Sequence, residues 1–272
     1  MKIISFCIST IRRLISPSYW ILFSSRNHLN IIKTIWVNFH FLPFEQAIKL
    51  PIFIYGRLKF LRITPNGISI DCKVVSRGMV KINIWNTSSC ASGGGTEIVL
   101  QTNGKIIFEG SARIGTGCRI NVNNGGVLRI GPNFIMNNQN NIGCFNSIYI
   151  AEDVIIGHQN QIFDTNFHHI MDTNTKRVLR SNNEIVIGRK TWIGNRVTIL
   201  QGSIIPPNSI LASNTLISKA FSESNTIIGG IPGKVIKSNV EMIRNLALEG
   251  YLHPYFSEKK ERMYYEIKNK TD

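Results

Sequence analysis

A chain of 272 residues with 43% hydrophobic content has enough apolar material for a sizeable core, which excludes an intrinsically disordered protein. Its 31 Lys+Arg against 16 Asp+Glu give a formal net charge of +15, which points to anionic partners: nucleic acid, anionic lipid or phosphorylated ligands. The cations are dispersed rather than clustered with aromatic residues and no nucleic-acid module signature appears, so nucleic acid is not expected among them.

The opening residues, "MKIISFCISTIRRLISPSYWILFSS", begin like a secretory signal, but Arg12 and Arg13 interrupt the apolar run and no small-residue cleavage site follows. The run is too broken for a spanning helix, which needs about 20 mostly apolar residues. What is left is an apolar, basic segment that can pack on the body, on a neighbouring subunit or on a membrane surface. Residues 1–60 carry helical or mixed patterns, and Pro43 and Pro51 end whatever helices form there. From 61 to 105 the alternating stretches "ISID", "VKINI" and "EIVLQ", parted by "TSSCASGGG", read as irregular first coils. Cys7, Cys72, Cys90, Cys118 and Cys144 are odd in number and widely spaced without a C-x-x-C pair, so they read as reduced thiols in the cytosol.

A six-residue period then takes over. Phe108, Ile114 and Ile120 fall on one ladder, with Ile106, Ala112 and Cys118 on a companion ladder two positions earlier; Ile130, Met136, Ile142 and Ile148 continue the sixes. After a two-residue slip come Ile150, Ile156 and Ile162. From Ile187 the rungs are Ile187, Ile193, Ile199, Ile205, Leu211 and Ile217, and the companions Ile185, Thr191, Val197, Ser203, Ser209 and Thr215 are small or β-branched. Neither a helix nor an ordinary strand has this period. It is the signature of a parallel β-helix, a triangular prism in which each hexad supplies a short strand and a corner and the aliphatic rungs stack into an inner column. Glycine often follows the rung, as at Gly115, Gly157, Gly188 and Gly194, where a corner needs a residue without a β-carbon.

Between Ile162 and Ile185 the hexads stop, and an insertion in a repeat array projects from one face and is free to carry function. This loop, 163–184, holds "DTNFHHIMDTNTKR". Beyond Pro232 the hexads end, and 239–272 reads as a helical tail broken at Gly250 and Pro254.

The run "IAEDVIIGHQNQIFDTNFHHI", followed by "EIVIGRKTWIGNRVTILQGSIIPPNSILASNTLISKAFSESNTIIGGIPGKVIK", resembles the hexapeptide-repeat acyltransferases, and most of all their polysaccharide or capsule O-acetyltransferase branch. The resemblance covers about residues 105–238. It implies an all-β dominated chain: a left-handed parallel β-helix over 61–238, with a mixed or helical N-terminal extension (1–60) and a C-terminal helical tail (239–272). It also implies an acetyl-CoA-dependent O-acetyltransferase acting on a cell-surface polysaccharide or its lipid-linked precursor. Such an enzyme would work as a homotrimer with its sites in the clefts between prisms. Cytoplasmic localisation follows, with peripheral contact to the inner face of the membrane as an option.

Carried over by position, the resemblance puts His168 in the catalytic place and Asp164 beside it. Trp192 matches the tryptophan of the family's "W-I-G" turn, and Ser213 falls where a backbone amide meets the pantetheine arm. Lys219 and Lys234 match lysines near the coenzyme's phosphates. The chain departs from the family in "ASNT" and "IPGK", which loosens the match around the coenzyme. The chemistry suits the residues: a sugar hydroxyl attacking a thioester needs a base with a pKa near 6.5, which histidine supplies, and an adjacent carboxylate such as Asp164 can orient the imidazole.

Three other readings stay open at this level. The acceptor can be an amino sugar, an amino acid or a xenobiotic, or the prism can be a scaffold without catalysis. A zinc site like that of the gamma-type carbonic anhydrases needs three ligands, and His158 with His168 falls short of that, so no metal is expected.

Overall fold

The computed structural model describes residues 28–85 and 94–267. Its strands form three parallel sheets in which every third strand is a neighbour, the arrangement of a prism wound from one chain. The first face runs through Ile52–Ile54, Val80–Ile84, Ala112–Gly115, Phe134–Met136, Ile155–Ile156, Trp192–Ile193, Ile210–Leu211 and Thr226–Gly229, and the antiparallel strand Lys234–Ser238 closes it. Leu58–Arg62 and Ile68–Ile70 open the second and third faces. The chain thus forms the left-handed parallel β-helix that the hexads and the resemblance led us to expect.

The aliphatic rungs are its core. Ile187, Ile193, Ile199, Ile205, Leu211 and Ile217 are all buried, and so are their companions from Ile185 to Thr215. Burial of each aliphatic side chain is worth about 1.5–3 kcal/mol, and a continuous column sums that over many coils. Three of the four polar companions bond to their own corner: Thr191 Oγ1 donates to the Gly188 carbonyl, Ser203 Oγ to that of Leu200 and Ser209 Oγ to that of Pro206. The corner glycines are required by contact. A β-carbon on Gly157 would stand 2.5 Å from the Gly194 carbonyl oxygen, and one on Gly188 2.5 Å from Pro207 N.

Coil length explains where the period is legible. Trp192 and Ile210, partners on the first face, are 18 residues apart, three clean hexads. Ile135 and Ile155 are separated by 20, which is the two-residue slip. Ile52 and Val80 are 28 apart and Val80 and Ala112 32, so the first coils have no hexads to show. The stack accordingly begins at Ile52, inside the stretch that the sequence reading gave to the N-terminal extension.

Helix α1 (Ile31–Phe41) covers the open end of the prism. Asn30 caps it by accepting from Lys33 N. An edge strand leaves backbone groups unpaired, and here α1 satisfies them. Asn38 Oδ1 accepts from Ile52 N and its Nδ2 donates to the Ile52 carbonyl, while Thr34 Oγ1 accepts from Ile54 N. A short helix α2 (Phe44–Ala47) follows, and helix α3 (Leu246–Glu258) lies in the C-terminal tail. Cys72, Cys118 and Cys144 are free thiols; burial pushes Cys118 up to about 12 and raises Cys144 further, so neither is a nucleophile at neutral pH. Cys7 and Cys90 lie outside the described residues.

Candidate active site

The loop departs where the second face turns toward the third. Its first residue past the strand Gln161–Phe163 is Asp164, fully buried. Asp164 Oδ1 accepts from Phe145 N and Oδ2 from Asn146 N, each at 2.7 Å. Both oxygens therefore cap the corner of the preceding coil, the turn role at which aspartate excels. Burial raises its pKa, and the same backbone bonds pull the other way. Asp164 also accepts from Asn183 N through its carbonyl, tying the outgoing and returning ends of the loop together.

Three residues on, the backbone is strained. Phe167 has φ +63°, and His168 N donates to the Asn166 carbonyl at 2.7 Å, closing a three-residue γ-turn with Phe167 at its centre. That geometry is rare for a bulky residue and costs of order 1–3 kcal/mol. It is held by packing: the Phe167 ring lies edge-on to Phe145 at 5.2 Å and to Phe163 at 5.5 Å. His168 follows directly and is exposed, as is His169. Beyond them Ile170–Met171 and Val178–Leu179 form an antiparallel hairpin, whose turn is capped by Asp172 accepting from Asn174 N and Thr175 N. All four hairpin residues are exposed.

The other expected site residues fall elsewhere on the prism. Trp192 is 42% exposed on the outside of the first face. Ser213 sits at the edge between first and second faces, where its Oγ accepts from Asn195 N. Lys234 pairs with Gly229 at the closing end of the first face. Lys219 follows the strand Leu216–Ile217, at the edge from which the loop also departs, with its Nζ 5.2 Å from the centre of the Phe221 ring. One chain therefore holds two sets: Asp164, His168 and Lys219 at the second edge, and Trp192, Ser213 and Lys234 on the first face and first edge.

Trp192 lines a cleft of about 680 Å³ that sequence reasoning missed. Ile135, Ile155 and Trp192 form its floor, consecutive outward positions of the first face. Met242, Ile243 and Arg244 of the C-terminal tail form the far wall. Arg244 pins that wall down by an ion pair with Asp153 at 3.3 Å and a bond to the Asp153 carbonyl. The floor was legible as apolar residues just before the rungs, where the prism faces outward. The Asp153–Arg244 link spans 91 positions, and no local pattern announces it.

His158 belongs to a structural column. Its Nδ1 accepts from Asn138 N at 3.3 Å, its own N–H donates to Asn195 Oδ1, and Asn195 N donates to Ser213 Oγ. Burial lowers its pKa, so the imidazole is neutral at pH 7 and free to accept. Among the described residues no group of His, Cys, Asp or Glu side chains is arranged to hold a metal ion.

No family model matches the chain. It is 30% identical over 146 residues to the putative lipopolysaccharide biosynthesis O-acetyl transferase WbbJ of Escherichia coli (strain K12), covering 51% of this chain and 74% of that one. It is also 30% identical over 118 residues to the probable acetyltransferase Rv3034c of Mycobacterium tuberculosis (strain ATCC 25618 / H37Rv), covering 42% of this chain and 38% of that one. Among solved structures, the polySia specific acetyltransferase NeuO aligns with a TM-score of 0.45 at 17% identity, over 77% of this chain and 99% of that one.

Proposed function

The chain belongs to the hexapeptide-repeat acyltransferases and is an acetyltransferase, and from that premise we propose that it transfers an acetyl group from acetyl-CoA to a hydroxyl of a cell-surface polysaccharide sugar or its lipid-linked precursor. His168 is the general base. The observation that carries this reading is the foundation under His168, a strained turn fixed by the Phe145–Phe167–Phe163 cluster and by Asp164. Strain held in place by surrounding packing is a mark of functional loops. The relative named for O-acetyl transfer in lipopolysaccharide biosynthesis supports the acceptor class.

In the reaction the acceptor hydroxyl gives its proton to the His168 imidazole as its oxygen attacks the thioester carbonyl carbon. The C–O bond forms, the C–S bond breaks, and the leaving thiolate takes the proton back from the imidazolium. Asp164 spends both oxygens on backbone amides, so it acts as a positioning residue for the loop rather than as the partner of the imidazole. The cleft over Trp192 suits the slender pantetheine arm, with an apolar floor and a polar rim. Ser213 lies on the adjoining edge, and Lys234 and Lys219 are the candidates for the coenzyme's phosphates.

The two separated sets are reunited when the loop of one prism meets the first face of the next, as in a homotrimer. The exposed apolar hairpin residues Ile170, Met171, Val178 and Leu179 support such a contact, since a free hairpin gains nothing from apolar side chains in water. On this reading the enzyme works in the cytoplasm.

The test is thiol release from acetyl-CoA with a panel of bacterial surface glycans, for wild type and His168→Ala, with coenzyme binding measured by calorimetry. Acceptor-dependent release that falls at least about 10²-fold in the variant, with coenzyme binding kept, is the expected result. Equal rates in both proteins would move the base elsewhere, and the absence of coenzyme binding in either would turn the prism into a scaffold.

A further inference from the structure

Helix α1 has a buried inner side and an apolar outer side. Its inner side, Thr34, Val37, Asn38 and Phe41, is buried against the first coil. Its outer side carries Ile31, Ile32, Ile35 and Phe39, with Ile32 82% exposed. Phe44, 67% exposed, extends this surface through its ring contact with Phe39, and exposed Ile48 follows at the end of α2. Positions 32, 35 and 39 repeat at helical spacing, so they form one stripe. Soluble surfaces seldom leave such a contiguous patch uncovered.

The charge of the chain segment that carries the stripe is one-sided. Residues 1–62 contain nine cations, Lys2, Arg12, Arg13, Arg26, Lys33, Lys49, Arg57, Lys59 and Arg62, against the single acid Glu45. The 27 residues before the described part are themselves rich in isoleucine, leucine and aromatic residues. They join at His28, whose carbonyl accepts from Gly56 N beside the start of α1. Covering the stripe with a second copy would press two cationic ends together. Folding residues 1–27 over it would add four cations and no acid.

An apolar stripe within a strongly cationic stretch of chain is the composition of an interfacial helix on an anionic bilayer. We propose that the outer side of α1, with Phe44 and Ile48, is a membrane-binding surface that seats the N-terminal end of the prism on anionic lipid. The stack then stands up from the bilayer, and Trp192, five inter-strand steps along the first face from Phe53, is held about 24 Å above α1's end of the prism. This inference does not depend on the acceptor reading, because lipid binding is read without catalysis.

The test is flotation of the full chain with vesicles of phosphatidylglycerol and phosphatidylcholine, or of phosphatidylcholine alone, for wild type and an Ile32→Glu/Phe39→Glu double variant. Size-exclusion chromatography of both proteins runs alongside. Wild type is expected to float with the anionic vesicles, to be released by salt, and to lose at least about tenfold of its bound fraction in the variant, with no change in oligomeric state. Wild type left at the bottom of the gradient would overturn the proposal. So would a variant that floats as wild type does, since binding would then reside elsewhere, or a variant whose oligomeric state changes, since the stripe would then be an interface between copies.

Discussion

The hexads from Ile185 to Ile217 and the loop from Phe163 to Glu184 are neighbours in sequence and opposites in physics. In the first, every rung and companion is buried, and identity is dictated by a column that tolerates only aliphatic or small side chains. In the second, the residues from Phe167 to Arg180 are all exposed, and one buried carboxylate with three phenyl rings holds the turn that precedes His168. Packing makes the column rigid at all its points. The loop packs against the prism at its root, which His168 follows.

That contrast can be tested by substitutions expected to separate chemistry from stability. The largest effect belongs to the loop's tip of chemistry: His168→Ala should lower acceptor-dependent transfer by about 10²- to 10⁴-fold while the melting temperature stays put, because the side chain is exposed. The reverse is expected of Ile193→Ala, which should cost about 2–5 kcal/mol in denaturant unfolding. If Ile193→Ala is silent, the column is not the source of stability.

Asp164→Asn lies between the two. It leaves one backbone amide without its acceptor, a loss of about 1–3 kcal/mol. Because the loop's root is loosened, kcat should fall with little change in the KM for acetyl-CoA. A fall in KM-dependent terms alone would contradict the positioning role.

The smallest effect concerns pH. The His158 pKa is lowered by burial from its ordinary 6.5, so the unfolded chain binds this proton first. The stability contributed by the neutral imidazole is present above that ordinary value and lost as pH falls below it toward the folded value. Asparagine already fills the same column at Asn138 and Asn195, so His158→Asn should keep neutral-pH stability within about 0.5 kcal/mol. It should also flatten the difference between pH 7 and pH 5. An unchanged slope would mean that another group carries it.

The same physics decides what the sequence made legible. Ile187 through Ile217 announce the prism because 18-residue coils repeat each environment at six-residue steps. Ile52 and Val80 serve the same column and escape notice because 28 residues separate them. His168 was singled out through a resemblance carried by "IFDTNFHHI", since no periodicity marks an exposed histidine. Asp164 was singled out too, but its bonds to Phe145 N and Asn146 N depend on a coil 18 to 19 positions earlier, and sequence favoured a partnership with the imidazole instead. Arg244 lay beyond reach altogether, its role fixed by Asp153 across the chain.

The central claim is that acetyl transfer needs the loop of one copy and the first face of another. The direct measurement is activity in assemblies reconstituted from equal amounts of His168→Ala, which lacks the proposed base, and Trp192→Glu, which sets a negative charge in the cleft proposed for the coenzyme. If sites form between copies, mixed trimers should recover about a quarter of wild-type transfer, because one site in four pairs an intact loop with an intact face. Recovery no greater than the mean of the two separate variants would mean that each chain builds its site alone.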